Sequence, residues 1–405
     1  MFSKSLEKAS TRRWLSVVCL VAGCLAGFQP NSSSADDSFH FEKSNSQRQV
    51  VTYVHRVENN ASRLMERISI AMAVPQSDRR QDIEKLTIEP QPDRITVDEW
   101  NQRVAHFTLD SLAPGETFRV RFVATVVLSD LEWLITGPDV GAADEMPERV
   151  RRRYLGNGDL YNIRSEELVR VARSLRTSRG GFLEQLRHIH DFVVDHIVYE
   201  RDDRWDRADR VLERGTGSCS EYSLLMIALC RLNGIPARYA GGTCLPHAME
   251  SEIYDRSPTT TETFQPTERG TPNQDGDVDR VFHRWVEVYL PRLGWFPMDP
   301  TRNDLAEALG THYRYFGRLP WFYLVMNQGD GHGLNEGLGY DYRSSTKWAG
   351  QETFPPGSVR VQRYATWKDA PSPDAEPTKQ HKRQVVAGKP LPWSPFLVSG
   401  EASRK

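Results

Sequence analysis

The apolar-rich segments 51–57, 68–74, 104–109 and 118–128 all read as strands, the last with the alternation of a half-buried one. In the last of these Phe118, Val120, Phe122, Ala124, Val126 and Leu128 fall on one face, with Arg119, Arg121 and Thr125 on the other. Turn-forming groups separate them: Glu58-Asn59-Asn60, Pro75-Gln76-Ser77-Asp78 and Ala113-Pro114-Gly115-Glu116. No helical period intervenes, so residues 38–136 are expected to form a β-sandwich domain. A segment rich in Gly, Pro and acidic residues, 137–147, marks a linker. Beyond it the period changes. Ser165-Glu166-Glu167 opens a helix, and Phe182, Leu186, Ile189, Val193 and Ile197 recur at helical spacing. Residues 224–232 are almost wholly apolar, which predicts a buried helix ended by Asn233-Gly234-Ile235-Pro236. Residues 281–290 and 294–301 then alternate around a short turn as an antiparallel hairpin.

The sandwich pattern is of the immunoglobulin-like kind. Its histidines, His55 and His106, lie within strands and read as structural, so this half is a packing or partner-binding module. The two chain ends differ from the middle. Lys4, Lys8, Arg12 and Arg13 precede an apolar run over 14–28, and small residues follow to Ala35, which is the layout of a secretory signal peptide over 1–35. That run is shorter than the roughly 20 residues a membrane span needs. Val21-Ala22-Gly23-Cys24 resembles a lipobox, which would leave a lipidated Cys24, and Thr11-Arg12-Arg13-Trp14-Leu15 loosely resembles a twin-arginine signal. Residues 368–405, rich in Pro, Lys, Ser and Ala, read as a disordered tail. The expected location is therefore the periplasm or cell envelope, soluble or lipid-anchored.

A net charge of -2 over 405 residues, with no long basic run, argues against nucleic acid as a partner. Of five cysteines, Cys19 and Cys24 fall in the leader, leaving Cys219, Cys230 and Cys244. An odd number leaves at least one thiol unpaired in an oxidising compartment. Cys219 and Cys230 stand about 16 Å apart along one helix, too far to bridge. A Cys230–Cys244 disulfide is compatible with the sequence, so Cys219 is expected to remain a thiol.

Chemistry gathers at that thiol. Ser218 and Glu221 make a Ser-x-x-Glu capping box, which starts the buried helix at Cys219. Unpaired backbone N–H groups and the positive end of the helix dipole favour a thiolate there. In the hairpin, pairing Tyr289 with Leu293 would set His283 directly opposite Asp299, about 5 Å apart at Cβ. A two-residue loop would make them diagonal neighbours instead. Either way a carboxylate can orient an imidazole.

Three segments, 215–241, 281–290 and 294–301, together resemble the core of bacterial transglutaminase-like proteins. The likeness lies in the Gly217-x-Cys219-x-Glu221-Tyr222 helix start running into Gly234-Ile235-Pro236-Ala237-Arg238, the His283-x-Trp285-Val286-Glu287-Val288-Tyr289 strand, and Gly294-Trp295 leading to Asp299-Pro300-Thr301. It covers roughly residues 165–310, within a domain taken as 148–367; residues 313–342 match nothing in it. The resemblance implies an α+β fold with a papain-like site, an antiparallel sheet and a buried nucleophile helix, often preceded by a β-sandwich. It also implies Cys219 as nucleophile, His283 as general base and acid, and Asp299 as the residue orienting it. A thiolate attacking an amide carbonyl gives a thioester acyl-enzyme, which water or an amine resolves. The Cys219 N–H suits one oxyanion donor, with Trp205 a candidate second.

No metal or organic cofactor is required by this chemistry. Cys244-Leu245-Pro246-His247 has zinc-ligand spacing but no second pair. Asp275-Gly276-Asp277-Val278-Asp279 lacks the Gly and Glu of a calcium loop, having Arg280 and Val286 at those places. His188, His190 and His196 lack metal spacing and read as solvated or partly packed. Residues 245–280 are expected to be a surface loop or lid. The chain thus reads as an exported cysteine peptidase, amidase or glutamine acyltransferase acting on protein or peptide amides, with the balance towards hydrolysis. The competing reading is a non-catalytic binding module on the same fold.

Overall fold

A computed structural model describes residues 40–98, 100–177, 181–200, 205–245, 282–307, 313–329 and 344–370. The leader, Cys24, His247, the acidic stretch 275–279 and nearly all of the expected lid and tail lie outside the described residues. Six strands come first: β1 (Phe41–Asn59), β2 (Met65–Val74), β3 (Gln81–Glu89), β4 (Arg94–Val97), β5 (Arg103–Leu112) and β6 (Thr117–Trp133). Helices α1 (Glu148–Tyr154), α2 (Glu166–Ser174) and α3 (Phe182–His196) follow, then β7 (Val198–Tyr199), α4 (Ala208–Arg214) and β8 (Thr216–Gly217). Next are α5 (Cys219–Leu232), β9 (Ala237–Cys244), β10 (Phe282–Leu290), β11 (Gly294–Met298) and α6 (Pro300–Glu307). Last come β12 (Arg318–Leu319), β13 (Tyr323–Gly329), β14 (Ser344–Lys347) and β15 (Val359–Asp369).

The alternation in β1 and β6 buries one face of each, and Tyr53 and Phe122 stack at 5.4 Å between rings. One sheet runs β12-β6-β1-β15 with β3 also on β6, and a second runs β14-β2-β5-β4. Both take strands from the two ends of the chain. Pairing of β15 to β1 runs from Gln49 with Asp369 to Asn59 with Val359, and β14 pairs with β2. Residues 344–367, expected with the second domain, therefore complete the N-terminal sheets, and the first residues of the expected tail, Lys368 and Asp369, end β15. His55 is fully buried there, its Nδ1 at 2.5 Å from Ser344 Oγ and its Nε2 at 2.5 Å from Thr346 Oγ1. That is the structural role its position in a strand suggested.

The second half carries a sheet ordered β11-β10-β9-β13. Helix α5 lies against it with residues 220–231 all buried, as its unbroken apolar run requires. Arg231, at its last turn, donates to the carbonyls of Ala237 and Gly156. The two halves are pinned at the strand that carries His283. Glu287 on β10 is buried and accepts from Arg80 at 2.6 Å, from Arg238 at 2.9 Å and from Gln328 at 2.9 and 3.0 Å. Burial would raise its pKa, but the two guanidinium charges win and hold it at about 2. Beside it the Gln81 amide bonds both the N–H and the C=O of Val325, tying β3 to β13. No helix among the described residues is long and apolar enough to cross a membrane.

Candidate active site

The loop into α5 folds as its sequence demands. Gly217 comes so close to Glu221 that a Cβ there would sit 2.4 Å from the Glu221 Cβ, which leaves no room for any other residue. Ser218 is the N-cap, with extended backbone. Its N–H donates to Glu221 Oε2 at 2.9 Å, the expected reach of the third helical residue back to the cap. The Ser218 hydroxyl goes to the same carboxylate oxygen at 2.5 Å. Burial pushes the Glu221 carboxyl up, against these bonds. Cys219 thus stands at the first helical position, half-buried at the tip of a buried helix. Tyr222, one turn in, donates to Ile197 O at 2.6 Å and Asp304 Oδ2 at 2.5 Å, fixing α5 to α6.

His283 lies on β10 opposite Gly242 of β9 and is 5% exposed. Its Nε2 is 2.6 Å from Asp299 Oδ2. The expected direct opposition of these two is corrected by the register: β10 and β11 pair Leu290 with Gly294 and Val286 with Met298. The turn holds three residues, Pro291, Arg292 and Leu293, with Arg292 at φ 69°. Asp299 falls beyond the end of β11, so the pair is diagonal. The shift from the expected register is even, which keeps both side chains on one face. Asp299 caps α6 instead of extending the strand: its Oδ1 accepts the Arg302 N–H at 3.1 Å and its carbonyl the Asn303 N–H at 3.0 Å.

Cys219 hydrogen-bonds the His283 side chain and receives the backbone N–H of Arg284. Burial alone would raise the thiol's pKa; those bonds, with the charges of His283 and Arg284, bring it below its ordinary value. His283 moves the other way. Burial disfavours its charge, but Asp299 and Cys219 outweigh it and lift the imidazole to about 9. With Nε2 on Asp299, Nδ1 is the ring nitrogen left for the thiol. The arrangement suits a thiolate–imidazolium pair at neutral pH.

Trp205, the candidate second oxyanion donor, is 41% exposed with the Arg284 guanidinium 4.7 Å over its ring. His190, expected to be solvated or partly packed, is fully buried: Nδ1 is 3.0 Å from Asp191 Oδ1 and Nε2 2.7 Å from the Asn303 amide. It joins α3 to α6 beside Asp299. The lone helical period gave no sign of this, because its partner lies over a hundred residues away. Arg284, Arg302 and Tyr323 also surround the site. Tyr323 lies in the stretch that resembled nothing, and only the return of β13 to β9 brings it there. No disulfide joins Cys219, Cys230 and Cys244. Among the described residues no group of three or more His, Cys, Asp and Glu could hold a metal.

Comparison with known proteins places this arrangement. The curated protein YebA of Bacillus subtilis (strain 168), itself uncharacterized, is 24% identical over 178 residues, which are 41% of this chain and 19% of YebA. The match thus spans about a fifth of that relative. A candidate cysteine protease from Cytophaga hutchinsonii superposes with a TM-score of 0.52 at 15% identity, covering 84% of this chain and 96% of that one, and so shares its fold. The periplasmic domain of TgpA from Pseudomonas aeruginosa reaches a TM-score of only 0.33 at 17% identity, over 69% of this chain and 77% of that one. The core model of the transglutaminase-like superfamily matches residues 169–300, the span that carries Cys219, His283 and Asp299. Residues 169–300 of this chain are thus similar to the transglutaminase-like core.

Proposed function

We propose that the chain is an exported thiol enzyme acting on amide bonds of proteins or peptides, with Cys219 as nucleophile, His283 as acid and base, and Asp299 orienting His283. One observation carries the reading: a thiol at a helix N-terminus hydrogen-bonded to an imidazole whose far nitrogen is 2.6 Å from a buried carboxylate. The thiolate adds to the amide carbonyl, and the Cys219 N–H, unpaired at the helix start, faces the developing oxyanion. Collapse breaks the C–N bond as the imidazolium gives its proton to the leaving amine. A thioester remains. Water or a primary amine then attacks it, His283 takes the incoming proton, and Cys219 leaves as the thiolate, which restores the starting ion pair. Asp299 keeps the imidazole in the tautomer that leaves Nδ1 for the thiol. A Cys219 thiol whose pKa is drawn below its ordinary value by His283 and Arg284 favours this over a binding-only role.

Export rests on the 1–35 leader pattern, with lipidation at Cys24 as its anchored form. The N-terminal sheets, as an immunoglobulin-like module, would seat the core through Arg80 and Gln81. Incubation with casein and a labelled primary amine tests the reaction. New fragments with little label mean hydrolysis, label without fragments means transamidation, and either must vanish in Cys219→Ala. Neither product from the wild type, on casein or on a mixed peptide library, would count against the enzymatic reading.

A further inference from the structure

The polar chain behind His283 runs further than Asp299. Tyr323, on β13 and 2% exposed, lays its ring against the imidazole at 5.5 Å between centroids and 12° between planes. Its hydroxyl donates to Asp299 Oδ2 at 3.3 Å, the oxygen that also meets His283 Nε2, and accepts from Arg302 Nη1 at 2.8 Å. Arg302 is itself 1% exposed, its guanidinium 4.7 Å over the Tyr315 ring and 4.9 Å over that of Phe322. One wall of the imidazole and one donor to its carboxylate thus come from a single side chain outside the three motif segments.

We propose that Tyr323 is a positioning residue for the His283–Asp299 pair: its ring holds the imidazole in plane, and its hydroxyl, polarised by Arg302, tempers the carboxylate's pull on the imidazole proton. The inference rests on the catalytic reading above and adds the control of His283 to it. A hydrogen bond to Asp299 Oδ2 shares that oxygen's charge, so less of it stabilises the imidazolium. Burial and the neighbouring Asp299 keep the phenol protonated against the opposing charge of Arg302, so it remains a donor. The charged and titratable groups facing the pair are Cys219 from α5, Arg302 from α6, Tyr323 from β13 and Cys244 from β9, with Arg284 at the thiol. Of these, Tyr323 touches both ring and carboxylate.

The test is the pH profile of Cys219 alkylation by iodoacetamide in the full chain, paired with a histidine-labelled NMR titration of His283. Tyr323→Phe keeps the ring and removes the donor. Asp299 then pulls harder, and the upper inflection, that of His283, is expected to rise by about half a pH unit or more. Substituting 3-fluorotyrosine at 323 makes a stronger donor and is expected to lower the same inflection. Tyr323→Leu removes the wall and is expected to slow labelling at neutral pH about tenfold. An unmoved or lowered upper inflection in Tyr323→Phe, with the wild type showing both inflections, overturns the proposal. A wild type with one inflection at the ordinary thiol value instead overturns the catalytic reading, and this proposal falls with it.

Discussion

Alanine at position 283 is expected to reduce amide turnover by roughly 10²–10⁴-fold, measured as kcat/KM for whichever casein-type reaction the wild type performs. Under the proposed mechanism three functions would go at once: the hydrogen bond and charge that lower the Cys219 pKa, the acid that protonates the leaving amine, and the base that activates the acceptor. Asp299→Asn should cost less, because the amide can still bond Nε2 although it no longer favours the same tautomer. The order of the two losses matters. A larger effect for Asp299→Asn than for His283→Ala would count against these roles, because Asn keeps the cap on Arg302 and the carbonyl that Asn303 bonds.

Gly242→Ala is expected to destabilise the core domain by about 3 kcal/mol or more and to abolish turnover with it. The new methyl would sit 2.0 Å from the Leu324 carbonyl oxygen and 2.9 Å from its carbon. Both are backbone atoms, so no side chain can step aside, and β9 must part from β13. Gly242 faces His283 across β9–β10 and Val325 across β9–β13. Parting those strands moves the histidine and withdraws Tyr323 from it. Thermal unfolding measures the loss, with Gly137→Ala as control, since a Cβ there meets nothing within 4 Å. Equal melting of the two variants would show that the strand gap closes around the methyl.

What the sequence carried depended on how local the signal was. The Ser218–Glu221 box and the apolar run after it are contiguous, and they placed Cys219 at the first turn of α5. His283 and Asp299 were reachable because strand parity survives an error of two in the pairing register, the three-residue turn lying at 291–293 and not one residue earlier as the expected pairing implied. Asp299 was expected in a strand, yet it lies just past the end of β11 and caps a helix, which Pro300 at the first helical position could have signalled. The long-range parts left no local trace. β15 reads as a strand only once β1 offers it a partner some three hundred residues earlier, and the Gln81 amide meets Val325 only in the folded chain. Arg284 stood inside the His283 motif and was given no role. Its backbone N–H, which reaches the thiol, has no sequence signature.

The central claim is that Cys219 is held as a thiolate by His283, and the rate of its alkylation across pH measures that directly. The thiol's pKa is lowered and the imidazole's raised to about 9, so the ion pair should persist between them and the thiol should label well below its ordinary pKa. In His283→Ala burial prevails over what remains, and the onset of labelling should move to alkaline pH. Cys230, whose pKa burial pushes far up, and Cys244, which burial pushes up to about 12, should not label in the folded protein. Wild-type labelling of Cys219 that begins only at the ordinary thiol pKa, with no change in His283→Ala, would contradict the account.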